Sequence, residues 1–223
     1  MKKTIIIGLA TLSLNAVSAP LPEPDSGIQL LPASEIVPPG YMSEYKLYEA
    51  QTKKFGYIKK QNADARDLII KKRIAKFNDD NSDPTQTHLR SSINNVSFAF
   101  EFPQAAVADV KSLIGFAPAG GWQADKTGWD GGVELFESAA GACRLVVNSI
   151  KLSHAAVQIA KESVSYDVNE KATVKGVIGD DSSGFMYSVS WYDAVYFRTL
   201  ECASKKYDPA NLDRVVEIAK RAD

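Results

Sequence analysis

The later part of this chain is patterned in a period of two. In FMYSVSWY, Phe185, Tyr187, Val189 and Trp191 alternate with Met186, Ser188, Ser190 and Tyr192. That spacing predicts a strand that buries one face and leaves the other mostly polar. The run VYFRTLECAS follows closely and makes the two a hairpin. Upstream, VSFAFEF has strong strand propensity. GGWQA, GGVELFES and ACRLVVNSIKL read as three further strands, joined by turns at DKTG and AAGA. VSYDVNEKATVKGVI reads as a long strand broken at Asn169-Glu170, and GDDSSG turns it into the strand at 185.

Helical spacing interrupts this pattern in a few places. Asp208 is placed to cap a final helix, with Pro209 at its first position and Leu212, Val215, Val216 and Ala219 facing the sheet. After Pro103, QAAVADVKSLIG predicts a helix that Gly115 stops, and Ser153 predicts the cap of another through HAAVQIAKES. Strands in runs with few helical returns imply an α+β domain over residues 95–223. Its expected form is a mainly antiparallel, twisted sheet with helices on one face.

The first 94 residues are organised differently. Lys2 and Lys3 precede an apolar run from Ile5 to Leu14, and NAVSA supplies small residues at Val17 and Ala19. Residues 1–19 therefore read as a signal peptide cut before Pro20, and the run is too short for a spanning helix. Export to the periplasm, the envelope or the medium is the expectation. Residues 20–40 carry six prolines and read as an extended tether, with IQLL as a short docking strand.

Residues 41–78 hold ten Lys or Arg against four acids. Asn62 is placed to cap a helix in which Ile70, Ile74 and Phe77 share one face, with Lys71, Lys72 and Arg73 around them. A basic helical segment suits an acidic protein partner or an anionic membrane surface. Residues 79–94 are nearly all polar and read as a linker.

Overall charge narrows the field. The chain has 26 basic and 27 acidic residues, and loss of residues 1–19 removes two of the basic ones. That balance excludes a general nucleic-acid binder. Two cysteines, Cys143 and Cys202, lie in strand-like runs and are expected to pair in an oxidising compartment. In the chain-entropy model, a loop of that length contributes about 4 kcal/mol.

Candidate chemistry is sparse. The two histidines, His88 in a polar stretch and His154 beside Ser153, form no nucleophile–base pair at adjacent helical positions. No metal motif is present, and NDDNSDP, GWDGG and GDDSSG each fall short of a calcium loop. No cofactor is expected.

Trp122 and Trp129 flank the DKTG turn in a stretch crowded with glycine. They read as a cross-strand pair closing a core, or as rings displayed to a sugar, peptide or protein, with the glycines clearing room for a backbone. Asp130 stands beside Trp129, and Glu134 and Glu137 follow, so a carboxylate-dependent hydrolase is a third reading. The first expectation is a non-catalytic envelope component that docks a protein partner through its N-terminal extension. A glycan- or small-ligand-binding domain built on Trp122–Glu137 is the alternative.

Overall fold

The computed structural model describes residues 4–7, 27–69, 89–102 and 110–223. In chain order these form β1 (Thr4–Ile7), β2 (Gly27–Leu31), α1 (Ala33–Ile36), α2 (Met42–Phe55), β3 (Ile58–Lys59) and α3 (Ala63–Ile69). Then come β4 (Ser112–Gln123), β5 (Gly128–Ser138), β6 (Gly141–Ser149), α4 (Ile150–Ser153), β7 (Ala156–Ala160) and β8 (Ser165–Val168). The chain closes with β9 (Lys171–Asp180), β10 (Gly184–Tyr192), β11 (Tyr196–Ser204) and α5 (Ala210–Arg221). The fold is of the α+β class, rich in sheet.

The larger sheet runs β3-β9-β10-β11-β6-β5-β4, with β8 paired to β9. Its ladders are antiparallel except for the short parallel contact of β3 with β9. A second sheet, β1-β7-β2, is parallel on both sides of β7. The turn at 124–127 joins β4 to β5, and Asn169 and Glu170, both at positive φ, turn β8 into β9.

The main core lies between one face of the large sheet and α5. Phe136, Cys143, Leu145 and Val147 meet Tyr187, Val189, Trp191 and Leu200 there, under Val215, Ile218 and Ala219. Apolar positions three and four apart along α5 give it the continuous stripe such a lid requires. The backbone N–H of Asp208 donates to the Tyr187 hydroxyl at 2.7 Å, fixing where the helix begins.

The opposite face of β10 departs from the expectation of a polar surface. Met186 is buried with Ala203 beneath Ala65, Leu68 and Ile69 of α3. Tyr192 joins Ile150, Val157, Ile159 and Val174 in a second cluster that binds the small sheet to the large one. Both faces are covered because α3 at one end and β7 at the other return onto the sheet, long-range events that the local period cannot encode.

Three local readings are corrected. Ser112–Gly115 belongs to β4 rather than to a helix, because the ladder with β5 satisfies its backbone and Leu113 pairs with Phe136; residues 103–109 lie outside the described residues. The helix through HAAVQIAKES is replaced by β7. His154 takes a left-handed conformation, φ 49°, and ends α4 after one turn, which Ser149 rather than Ser153 caps. The β-branched Val157 and Ile159 then bury completely as strand residues. Residues 96–102 are irregular, touching β5 through an isolated bridge between Phe98 and Trp129.

The segment read as an extended tether is folded where it is described. Residues 27–31 pair with β7, and Ala33 and Ile36 are buried against Ala160. Residues 20–26 lie outside the described residues.

Candidate functional site

The tryptophan hairpin follows from its register. Trp122 and Trp129 are directly paired across β4 and β5, with ring centroids 5.8 Å apart and planes at 76°. This edge-to-face geometry directs the edge of one ring at the other, so the two do not form a flat platform. Both rings are half-buried.

Asp130 is buried and engaged on both oxygens. Oδ1 accepts from the Gly121 N–H at 2.7 Å and Oδ2 from Gln123 Nε2 at 2.8 Å. These bonds hold the register shift between Ala119 and Trp122. Gly120 lies there at φ 77°, and a β-carbon on it would stand 2.1 Å from Asp130 Oδ1. The carboxylate thus fastens a bulge in the strand.

The room that the glycines leave is occupied by the chain itself. A β-carbon on Gly128 would meet the Phe98 carbonyl carbon and the Ala99 nitrogen, each at 2.4 Å. One on Gly132 would strike the Phe98 ring at 2.3 Å. The Trp129 N–H donates to Ser97 O at 2.9 Å, and Trp129 O accepts from Ala99 N at 2.8 Å. Phe98 stacks on Phe102 at 4.7 Å, and Phe102 meets Phe116 edge-on. Gly128 makes space for the backbone of Phe98 and Ala99, and Gly132 for the rings of Phe98 and Phe102.

Glu134 is buried on the same face of β5 as Asp130, while Glu137 turns to the other and accepts from Ser112 Oγ at 3.1 Å. An open depression of about 340 Å³ lies at that far end of β5, lined by Glu137, Ser138, Ile69, Lys111 and Lys205. The tryptophans stand at the other end of the strand.

Cys143 and Cys202 form a disulfide between directly opposed positions of β6 and β11, at the centre of the core. Both are fully buried. On the outer face beside them, Arg144 binds Glu201 and reaches Asp64 of α3 at 3.4 Å. Burial opposes the charge of Arg144, but Glu201 and then Asp64 outweigh it and hold the guanidinium above its usual range.

A second ionic network fastens the end of α5. Asp223 accepts from Trp191 Nε1 at 3.1 Å and binds Lys171, with Arg198 at 3.6 Å. Arg198, nearly buried, pairs with Asp193 at 2.7 Å. Burial works against the charged form of Asp193. The Arg198 contact and the N–H groups of Tyr196 and Val195 overcome it, lowering its pKa to about 2. Sequence reasoning missed this cluster, since its members come from four separated stretches.

The described N-terminal residues engage the domain at several places besides the contact of Ala33 and Ile36 with Ala160. β2 pairs with β7, β3 pairs with β9, and α3 caps Met186 and Ala203. Asn62 caps α3 as its position suggests, with Oδ1 accepting from Ala65 N at 3.0 Å. Lys71, Lys72, Arg73 and His88 lie outside the described residues.

Between these anchors α2 is held lightly. Only Tyr48 is buried along its 14 residues, and Lys60 lies over that ring at 5.5 Å. Leu47 is 52% exposed and Phe55 43%. On the same helix Lys46, Lys53, Lys54 and Glu49 are exposed, and the exposed Lys59 and Lys60 follow it, with Lys60 3.8 Å from Glu44. Among the described residues no group of three or more His, Cys, Asp or Glu is placed to hold a metal, and no helix is long and apolar enough to cross a membrane.

No protein-family model matches this chain, and no curated protein or solved structure is significantly similar to it.

Proposed function

We propose that this chain is an exported, non-catalytic binding component of the cell envelope that docks an acidic protein partner through its N-terminal region. The observation that carries this reading is α2, a helix that exposes Leu47 and Phe55 while committing only Tyr48 to its own core. Exposed apolar side chains among charges that are net positive, five lysines against Glu44 and Glu49, suit contact with an acidic partner. The leader-like residues 1–19 and the buried disulfide support export to an oxidising compartment. Asp130, engaged on both oxygens in a bulge, supports a scaffold role for the tryptophan hairpin over hydrolysis or glycan binding.

Truncation is a poor test, because β3 and α3 are part of the fold. The direct experiment is crosslinking in intact cells that produce either the natural chain or the Leu47→Glu/Phe55→Glu variant. A crosslinked protein lost in the variant at equal abundance supports docking through α2. An unchanged crosslinking pattern refutes it. Transfer of the chain to vesicles containing anionic lipid, lost in the same variant, would assign α2 to a membrane surface instead.

A further inference from the structure

We infer that the edge of β7 on which β1 lies is a strand-addition site, open in the processed protein to an extended apolar segment of a partner. This rests on the export reading above, since residues 1–19 include β1. Thr4–Ile7 pairs in parallel with Ala156–Ile159, while Gly27–Leu31 pairs in parallel with Ala156–Ala160 on the other side. Removal of the leader takes away β1 and leaves β2. A five-residue central strand thereby becomes an edge strand.

The two sides of β7 are distinguishable atom by atom. Ala155 O accepts from Gly27 N, so that carbonyl points toward β2. The peptide linking Ala155 to Ala156 is planar and trans, so the Ala156 N–H points the opposite way, toward β1. Strand alternation then directs the N–H and C=O groups of Ala156 and Gln158 to the β1 side, and those of Val157 and Ile159 to β2. Unpaired strand groups of this kind are templates for another chain.

Parallel addition in the register of Thr4–Ile7 shows the kind of backbone that the edge accepts. The apolar character of the occupant follows from the neighbouring cluster. Val157 and Ile159 are wholly buried against Ile150, Val174 and Tyr192, so an added strand continues that apolar layer at alternate positions.

The test uses the processed chain purified after export, with residue-resolved amide exchange and a synthetic peptide of residues 2–9, KKTIIIGL. Intact mass first reports whether residues 1–19 are gone; if they remain, the export reading falls and the edge is never vacated. In the processed chain, Ala156 and Gln158 should exchange at least about tenfold faster than Val157 and Ile159, as unpaired and paired amides of one strand do. The peptide should slow Ala156 and Gln158 by a similar factor, and a scrambled peptide should not.

Gln158→Pro removes the backbone donor on the open side together with the side-chain bond to Gln29 of β2, and Gln158→Ala removes that side-chain bond alone. Both should fold, and only Gln158→Pro should lose peptide binding. Equal protection of all four amides in a monomer overturns the inference, as does peptide binding that survives Gln158→Pro. A dimer with Ala156 and Gln158 protected replaces the partner with a second copy and overturns the assignment made here.

Discussion

Two helices of similar length, α2 and α5, stand in contrast. α5 buries Val215, Val216, Ile218 and Ala219 in a core that also holds the disulfide. α2 buries one side chain and exposes two large apolar ones. Tertiary packing, more than intrinsic propensity, stabilises most helices in proteins. α5 is therefore part of what makes the domain fold, whereas α2 is carried by its neighbours and left available for contact.

The sharpest way to break this contrast is to cut into α5. Ile218→Ala removes a fully packed side chain and should cost about 2–5 kcal/mol, read from urea denaturation. Should that loss prove comparable to an α2 substitution, the assigned difference between the helices fails. The strands beneath α5 come next. Cys143→Ala/Cys202→Ala should lower stability by about 2–4 kcal/mol, measured against the natural chain without reductant.

At the helix end, Asp223→Asn weakens contacts to Lys171 and Arg198 while keeping an acceptor for Trp191. A loss of about 1–3 kcal/mol is expected, with a change in indole fluorescence. Acid should act through the same region. The pKa of Asp193 is depressed in the folded state, so its contribution is present above the unfolded value. It is lost as pH falls from about 4 through about 2. Thermal midpoints at pH 5, 4, 3 and 2 should fall over that window, and less steeply in Asp193→Asn. The smallest effect belongs to α2, where Leu47→Glu/Phe55→Glu should change stability by no more than about 0.5 kcal/mol for each substitution.

These differences also explain how far the sequence could be read. The hairpin at DKTG, the break at Asn169-Glu170, the pairing of the cysteines and the final helix are local events or follow from two residues alone. β7 is not legible locally, because Ala155–Ala160 is a short apolar run that fits either period. The decisive signals are the left-handed turn at His154 and the burial of Val157 and Ile159 by distant strands. The second covered face of β10 and the network around Asp223 depend on which distant segments return to the sheet.

The glycine-rich hairpin shows the same limit at the candidate site. Crowded glycines do signal a close backbone approach, but composition does not say whose backbone approaches. Here it is Phe98 and Ala99 of the same chain.

The disulfide has a mechanical consequence. Cys143 and Cys202 join neighbouring strands that are 59 positions apart in sequence, so the segment between them is a covalent ring containing β7 through β10. A load applied to the edge of β7 enters that ring and divides between its two arms, which meet again at the sulfur bridge. Tension there cannot unzip β6 from β11 beyond the bond, so β4 and β5, which lie outside the ring, stay clear of whatever pulls on the small sheet.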